Sequence, residues 1–156
     1  MKISLLKLER ATNQGIIKAA RLLAKMLPDV IRKRTESGMG IGGPLKQLSP
    51  NYIKFREKYS NRLAKTTTPE TSNLTATGQL LKSIIGQASG FVVRIFISDK
   101  PRRKGLASKT TTTNKQIRGY VEKQGREFFD LKYSEKQMIE KFAAETIKQE
   151  IKKAFK

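Results

Sequence analysis

The stretch QASGFVVRIFI, residues 87 to 97, contains the pattern that decides the fold class. Its second part, residues 91 to 97, is rich in β-branched and aromatic side chains and predicts the clearest strand in the chain. Because side chains alternate along a strand, one face is expected to carry Phe91, Val93, Ile95 and Ile97. A turn at Ser89-Gly90 would make residues 87 to 89 an antiparallel neighbour.

A long helix is predicted before this hairpin. Residues 12 to 34 carry apolar side chains at helical spacing, with Thr12 or Asn13 as the capping residue. Pro28 lacks a backbone donor, so a kink or break is expected there. A shorter helix is predicted just before the strand, capped by Thr77 and ended by Gly86.

Helical spacing also follows the hairpin. Ser134 and Gln137 fit a capping box, and the apolar positions after them predict a final helix. Residues 117 to 121 predict either a short helix or a strand. Upstream, Ser49 as a cap followed by Pro50 predicts a short helix.

The length of 156 residues fits a single domain over residues 1 to 156. Three stretches rich in glycine, threonine or basic residues predict flexible loops near residues 37–49, 61–73 and 99–116. The glycines of the first loop lack the Gly-Lys-Ser/Thr ending of a phosphate-binding loop. A nucleotide site there is therefore not expected.

Charge dominates the composition. Lys and Arg number 33 against 13 Asp and Glu, which leaves a formal charge of +20. Such a chain is attracted to polyanions, so nucleic acid or an acidic protein surface is a plausible neighbour. A lysine-rich surface that only maintains solubility is the alternative interpretation.

The residue types argue against catalysis. The chain has no histidine and no cysteine, which excludes Ser-His and Cys-His arrangements as well as thiolate metal sites. No dense acidic loop suggests a carboxylate metal site. We therefore expect no catalytic residues, no metal, no cofactor and no enzymatic activity. No apolar run is long enough to predict a membrane span, and the charged N-terminus is unlike a signal peptide, so synthesis in the cytosol is expected.

Three segments, in order, resemble the virion-morphogenesis and tail-completion proteins of tailed phages. They are GPLKQLSPNYIKFREK (residues 43 to 58), LTATGQLLKSI (residues 74 to 84) and GYVEKQGREFFDLKYSEKQMIEKF (residues 119 to 142). The resemblance spans most of residues 43 to 155, and it depends on the order and spacing of the segments together.

The resemblance implies an α+β subunit with an N-terminal helix, a small antiparallel β-sheet, and a C-terminal helix packed on the sheet. Long basic loops would complete it. It also implies a structural virion protein that forms a ring, often a hexamer, at the head-tail junction. Expected partners are other copies of itself, neighbouring neck, connector and tail proteins, and the genomic DNA in the lumen, but no membrane. Assembly would take place in the host cytoplasm.

Two groups of residues are candidates for contacts. In a ring threaded by DNA, the basic loop could neutralise phosphates, or it could meet an acidic protein surface. The basic candidates are Lys100, Arg102, Arg103, Lys104, Lys109, Lys115 and Arg118. Phe128 and Phe129 are interpreted first as core residues, and the resemblance adds a subunit interface as a second possibility.

The main alternative function is a free basic nucleic-acid-binding protein. The net charge favours it, but aromatic residues are not interleaved with the basic run as they are in base-stacking surfaces. A small basic nuclease-like protein is disfavoured by the absence of histidine.

Overall fold

The structure is a computed structural model that describes residues 4–65, 67–99 and 112–156. Within these ranges the chain forms five α-helices, one 3-10 turn and one β-hairpin. In chain order they are α1 (Leu5–Glu36), α2 (Pro50–Lys58), the 3-10 turn (Ser60–Arg62), α3 (Gln79–Lys82), β1 (Ile84–Ser89), β2 (Val92–Ile97), α4 (Asn114–Lys123) and α5 (Tyr133–Ala154).

Helix α1 is longer than predicted. It begins at Leu5, so the prediction of a cap at Thr12 or Asn13 is wrong. The hydroxyl of Thr12 instead donates to the carbonyl of Leu8, one turn back in the same helix. Of the kink or break predicted at Pro28, the break is wrong, because α1 continues through it to Glu36. The buried stripe of α1 consists of Ala11, Ala19, Ala20, Leu23, Ala24, Leu27 and Ile31.

The predicted hairpin is confirmed, but β2 begins at Val92, so Phe91 lies in the turn with Gly90 and not on a face of the strand, while Ser89 belongs to β1. Strands β1 and β2 pair in a two-stranded sheet, and Gly90 turns the chain with a φ of 56°. Along β2 the side chains alternate, with Val93, Ile95 and Ile97 less exposed than Val92, Arg94 and Phe96. The hairpin therefore has one covered face and one open face.

The chain forms two compact units, and α1 and the hairpin contribute residues to both. The first unit contains residues 1–28, 86–95 and 131–156. Here α5 packs on α1 so closely that a Cβ on Gly15 would lie 2.8 Å from the Cα of Ile147. The hairpin packs on α1 through Gly86 and Ala24. The α+β class, with its N-terminal helix, small antiparallel sheet and packed C-terminal helix, is confirmed.

The α1–α5 packing also includes an ion pair. The ammonium of Lys18 donates to the carboxylate of Glu150 over 2.6 Å, and Lys153 donates to the same oxygen over 3.0 Å. These hydrogen bonds raise the pKa of Lys18 and lower the pKa of Glu150. Glu150 therefore balances the charge of two nearby lysines.

The second unit contains residues 29–85 and 96–130. Its buried apolar side chains are Ile31, Leu45, Leu80, Leu81, Ile84, Ile97 and Phe128. Helix α3 packs against α4. The guanidinium of Arg32 donates to the carbonyls of Leu81 and Ile84 over 2.9 and 2.6 Å, which satisfies one carbonyl at the end of α3 and one at the start of β1.

Helix boundaries confirm one predicted cap and correct two. Ser49 caps α2, because its hydroxyl accepts from the backbone N–H of Tyr52 over 3.3 Å, and Pro50 is the first helical residue. Thr77 is not the cap of α3, since Gly78 occupies that position in a left-handed conformation. Gly86 does not end α3 either, because it lies within β1.

The predicted capping box of the last helix is also wrong. Helix α5 begins at Tyr133, one residue before the expected cap Ser134. The carboxylate of Glu135 accepts from the backbone N–H of Lys132 over 2.7 Å, so the reach-back comes from a different residue.

The three predicted loops differ in structure. Residues 37–49 lack helix and carry a single bridge between Met39 and Pro44. In the stretch 61–73, predicted as a flexible loop, Asn73 is buried, with 2% exposure. The stretch 99–116 lies mostly outside the described residues, and α4 begins at Asn114 within it. Residues 117–121, left open between helix and strand, belong to α4.

Candidate functional site

The second unit contains a cavity of about 730 Å³ between α2 and α4, here called the α2–α4 cavity. Its size falls in the range of ligand pockets. Apolar wall residues are Leu48, Leu74, Ala76, Leu80, Ile117 and Val121. The polar and aromatic wall residues are Lys46, Gln47, Ser49, Tyr52, Arg56, Tyr120, Gln124 and Arg126. No Asp or Glu lines the cavity within the part of the chain that the structure describes.

Arg56 places a buried positive charge in this wall. Helix α2 directs its side chain inward, where it is 2% exposed. Its guanidinium donates to the carbonyl of Thr71 over 2.8 Å and to the hydroxyl of Thr67 over 3.0 Å. Burial lowers the pKa of Arg56, yet the group stays protonated at neutral pH. Both acceptors are neutral, so the charge of Arg56 is held without a hydrogen-bonded carboxylate among the described residues.

Arg126 places a second charge at the same wall. Its three guanidinium nitrogens donate to the carbonyl of Lys46 over 3.0 Å, the carbonyl of Gln47 over 2.9 Å, and the side-chain oxygen of Gln124 over 2.6 Å. Gly125, with a φ of 77°, turns the chain just before it. Arg126 therefore ties the extended segment before α2 to the end of α4, and it also rests on neutral acceptors.

The wall at residues 73 to 76 is held in an unusual conformation. Leu74 has a φ of 55°, the only positive value among the described residues other than glycine. A bulky residue in this region costs about 1 kcal/mol or more. The buried Asn73 stabilises the turn, because its side-chain oxygen accepts from the backbone N–H of Thr75 over 3.3 Å and from the hydroxyl of Thr67 over 3.0 Å. The turn is what brings Leu74 into the cavity wall.

The basic candidates from the sequence are mostly beyond the described residues. Lys100, Arg102, Arg103, Lys104 and Lys109 fall in residues 100–111, which lie outside the described ranges. Their role stays a prediction.

Lys115 and Arg118 lie on α4. Lys115 is exposed, and its backbone N–H donates to the carboxylate of Asp99 over 3.2 Å. Arg118 donates to both carboxylate oxygens of Glu122 over 3.0 Å and lies 4.2 Å from the ring centroid of Phe129. Arg118 is therefore engaged within the chain, whereas the ammonium of Lys115 points to the exposed surface.

Phe128 and Phe129 are close together but differ in exposure. Phe128 has no exposed surface, so it is a core residue and offers no area to another subunit. Phe129 is half-buried, with its ring edge against Phe128 at a centroid distance of 6.1 Å and its face against Arg118.

Sequence reasoning missed the cavity. The sequence gives Arg56 and Arg126 no role beyond their places in the resembling segments 43 to 58 and 119 to 142. One weak signal was available, because Arg56 lies on the same side of the short helix as Tyr52 and Ile53, four and three residues before it. Nothing local showed that residues 46–49, 74–80 and 117–126 would meet.

The described residues indicate neither a metal site nor a membrane span. In the described ranges no three His, Cys, Asp or Glu side chains cluster in a way that could hold a metal ion. Across residues 4–65, 67–99 and 112–156, every helix is too short or too polar to cross a membrane. No protein-family model, no curated protein and no solved structure matches the chain.

Proposed function

We propose that this chain is a structural subunit of a tailed-phage virion. It forms a ring at the head-tail junction, joins the tail to the head and surrounds the path of the DNA. The observation that carries the proposal is the ordered set of three segments that resemble virion-morphogenesis and tail-completion proteins.

The positions of these segments in the fold support the proposal. Residues 43–58 form the extended segment and α2, and residues 74–84 form the strained turn, α3 and the first residue of β1. Residues 119–142 form the end of α4 and the first part of α5. The second segment ends at the start of a strand, since α3 leads directly into β1.

The hairpin supports assembly with neighbours. A two-stranded sheet is marginal alone, and each of its strands has an outer edge without a partner strand among the described residues. The open face of β2 carries Val92, which is 52% exposed, and the turn carries Phe91, which is 59% exposed. Such apolar residues are typical of surfaces that are covered in an assembly.

The test is electron microscopy combined with mass spectrometry of purified particles. The expected result is peptides of this chain in mature particles and a ring, sixfold if the resemblance holds, at the neck or the tail terminus. Absence of the chain from mature particles would overturn the proposal. A monomer that binds duplex DNA tightly and is missing from particles would establish the alternative function, a free nucleic-acid-binding protein.

A matched pair of variants tests the role of the hairpin in the ring. Val92→Lys adds a charge to the open face of β2, and Tyr133→Lys adds the same charge at a side chain that is 77% exposed at the start of α5. We expect the first variant to be lost from particles and the second to be retained, because only the first charge would be buried at a subunit contact.

A further inference from the structure

We propose that the α2–α4 cavity is a docking site for a partner protein, and that the occupant is an extended acidic segment that inserts an apolar side chain beside a carboxylate. The inference deepens the proposed function, because it names the chemistry by which the subunit recognises an adjoining virion protein.

The apolar part of the wall favours an occupant with an apolar side chain. Leu48, Leu74, Leu80, Ile117 and Val121 face the cavity from four separate segments of the second unit. A side chain placed among them leaves water for an apolar surface, which is the main driving force of association. Leu80 is 2% exposed and anchors this wall to the core.

The positive charges that line the cavity favour an occupant with an anionic group. Lys46, Arg56 and Arg126 line the cavity, and no acidic residue of the described chain lines it with them. Arg56 and Arg126 are 2% and 9% exposed, and both rest on neutral acceptors. Buried charges are ordinarily paired, but neither guanidinium donates to a carboxylate among the described residues, and Glu70 acts on Arg56 through charge alone, without a hydrogen bond. A carboxylate near the exposed Lys46 would supply the missing negative charge.

The rim indicates a protein as the occupant. Tyr52 and Tyr120 are 40% and 57% exposed at the cavity mouth. Tyrosine is enriched at protein interfaces, where its ring covers apolar surface and its hydroxyl bonds to polar groups. A cavity with an open, aromatic rim suits a chain that passes across it better than a small molecule that is enclosed.

A second copy of this chain does not fit the charge. Its 13 acidic residues are scattered among 33 basic ones and no two of them are adjacent, so a second copy offers no acidic segment for this cavity. The partner that complements this wall is therefore a different, acidic protein.

The probe is a fluorescein-labelled synthetic peptide in which leucine alternates with aspartate, measured by anisotropy at about 0.15 M salt, where long-range attraction is screened. The matched probe replaces each aspartate with asparagine. We expect saturable binding of the aspartate peptide and binding at least about tenfold weaker for the asparagine peptide.

Variants separate docking from general attraction to a basic protein. Ala76→Phe fills the cavity and Tyr120→Ala removes half of the rim, and neither changes the charge. Each is expected to weaken binding by about tenfold or more, as removal of an interface anchor does. Lys46→Glu should weaken it similarly, whereas Lys54→Glu, on an exposed residue of α2 outside the cavity, should have little effect.

Three outcomes would overturn the inference. The first is equal binding of the aspartate peptide by the parent protein, Ala76→Phe and Tyr120→Ala. The second is an equal effect of Lys46→Glu and Lys54→Glu on that binding. The third is saturable binding of decanoate without binding of the peptide. The last would assign the cavity to a small amphiphile. None of these outcomes bears on whether the chain forms a ring in particles, so failure of the docking site and failure of the proposed function are distinguishable.

Discussion

Pro28 and Gly86 act on the same backbone group. In a helix the carbonyl of Ala24 would accept from the residue four positions later, but that residue is Pro28, which has no N–H. A Cβ on Gly86 would lie 1.9 Å from this carbonyl oxygen, so the Cα of glycine is in direct contact with it. The proline inside α1 thus frees a carbonyl against which the hairpin packs.

This contact gives a prediction for a single substitution. Gly86→Ala should destabilise the fold by about 1–3 kcal/mol or more, because the new methyl group collides with backbone rather than with a flexible side chain. The measurement is the free energy of unfolding by urea denaturation.

Gly119→Ala is the matched control. Gly119 lies inside α4, and beyond its own helix backbone no described residue comes within 4 Å of the added Cβ, so the same change there should stabilise by about 0.5–1 kcal/mol. If the Gly86 variant were as stable as the parent, the packing of β1 on α1 described above would be wrong.

At the scale of elements, the start of α5 shows how a local signal can be shifted by a residue or two. Ser134 has the residue type of a cap, but it lies inside the helix. Glu135 is the third helical residue and reaches back to the N–H of Lys132. Its negative charge also favours the positive end of the helix dipole.

We predict that Glu135→Ala destabilises the fold by about 1 kcal/mol, while Ser134→Ala changes stability little. Glu135→Gln should retain most of the stability, because an amide oxygen can accept the same hydrogen bond. Thermal unfolding followed by circular dichroism measures all three. A larger loss for Ser134→Ala than for Glu135→Ala would restore the cap expected from the sequence.

Two of the helices that line the cavity are short. Helix α3 has four residues and α2 has nine, both too short to be stable alone. They persist because α3 packs on α4 and because Arg56 of α2 bonds to Thr67 and Thr71. The site therefore depends on tertiary contacts within the second unit.

At the scale of the whole molecule, the positive charge is spread over the sequence. The stretch 100–109 contributes Arg102, Arg103 and Lys104, and α5 contributes exposed lysines on another part of the chain. In a ring around DNA, only residues that face the lumen would neutralise phosphates.

Replacing Arg102, Arg103 and Lys104 by Ala should therefore weaken binding to duplex DNA. It should also make the dependence of log K on log salt shallower by about 0.9 for each lost phosphate contact. Replacing Lys136, Lys141 and Lys152 on α5 is the control with the same change of charge. Equal salt slopes for the two triple variants would remove the loop as the DNA-contacting segment.

The sequence by itself determined those features that depend on neighbours along the chain. The sequence predicts the alternating side chains of β2, the helical spacing of α1 and α5, and the start of α2 at Ser49-Pro50. Each is set by backbone geometry and by side chains within one or two turns. The α+β class follows from these local features taken together.

Only the tertiary structure decided how distant segments meet. Arg56, Leu74, Ile117 and Arg126 line one cavity although they are far apart in the sequence. The passage of α1 through Pro28 and the position of Gly86 in β1 likewise depend on a contact between two elements. The physical reason is that burial and close packing act between residues that are close in space. The pattern of residues along one segment therefore does not show which arrangement of distant segments has the lowest free energy.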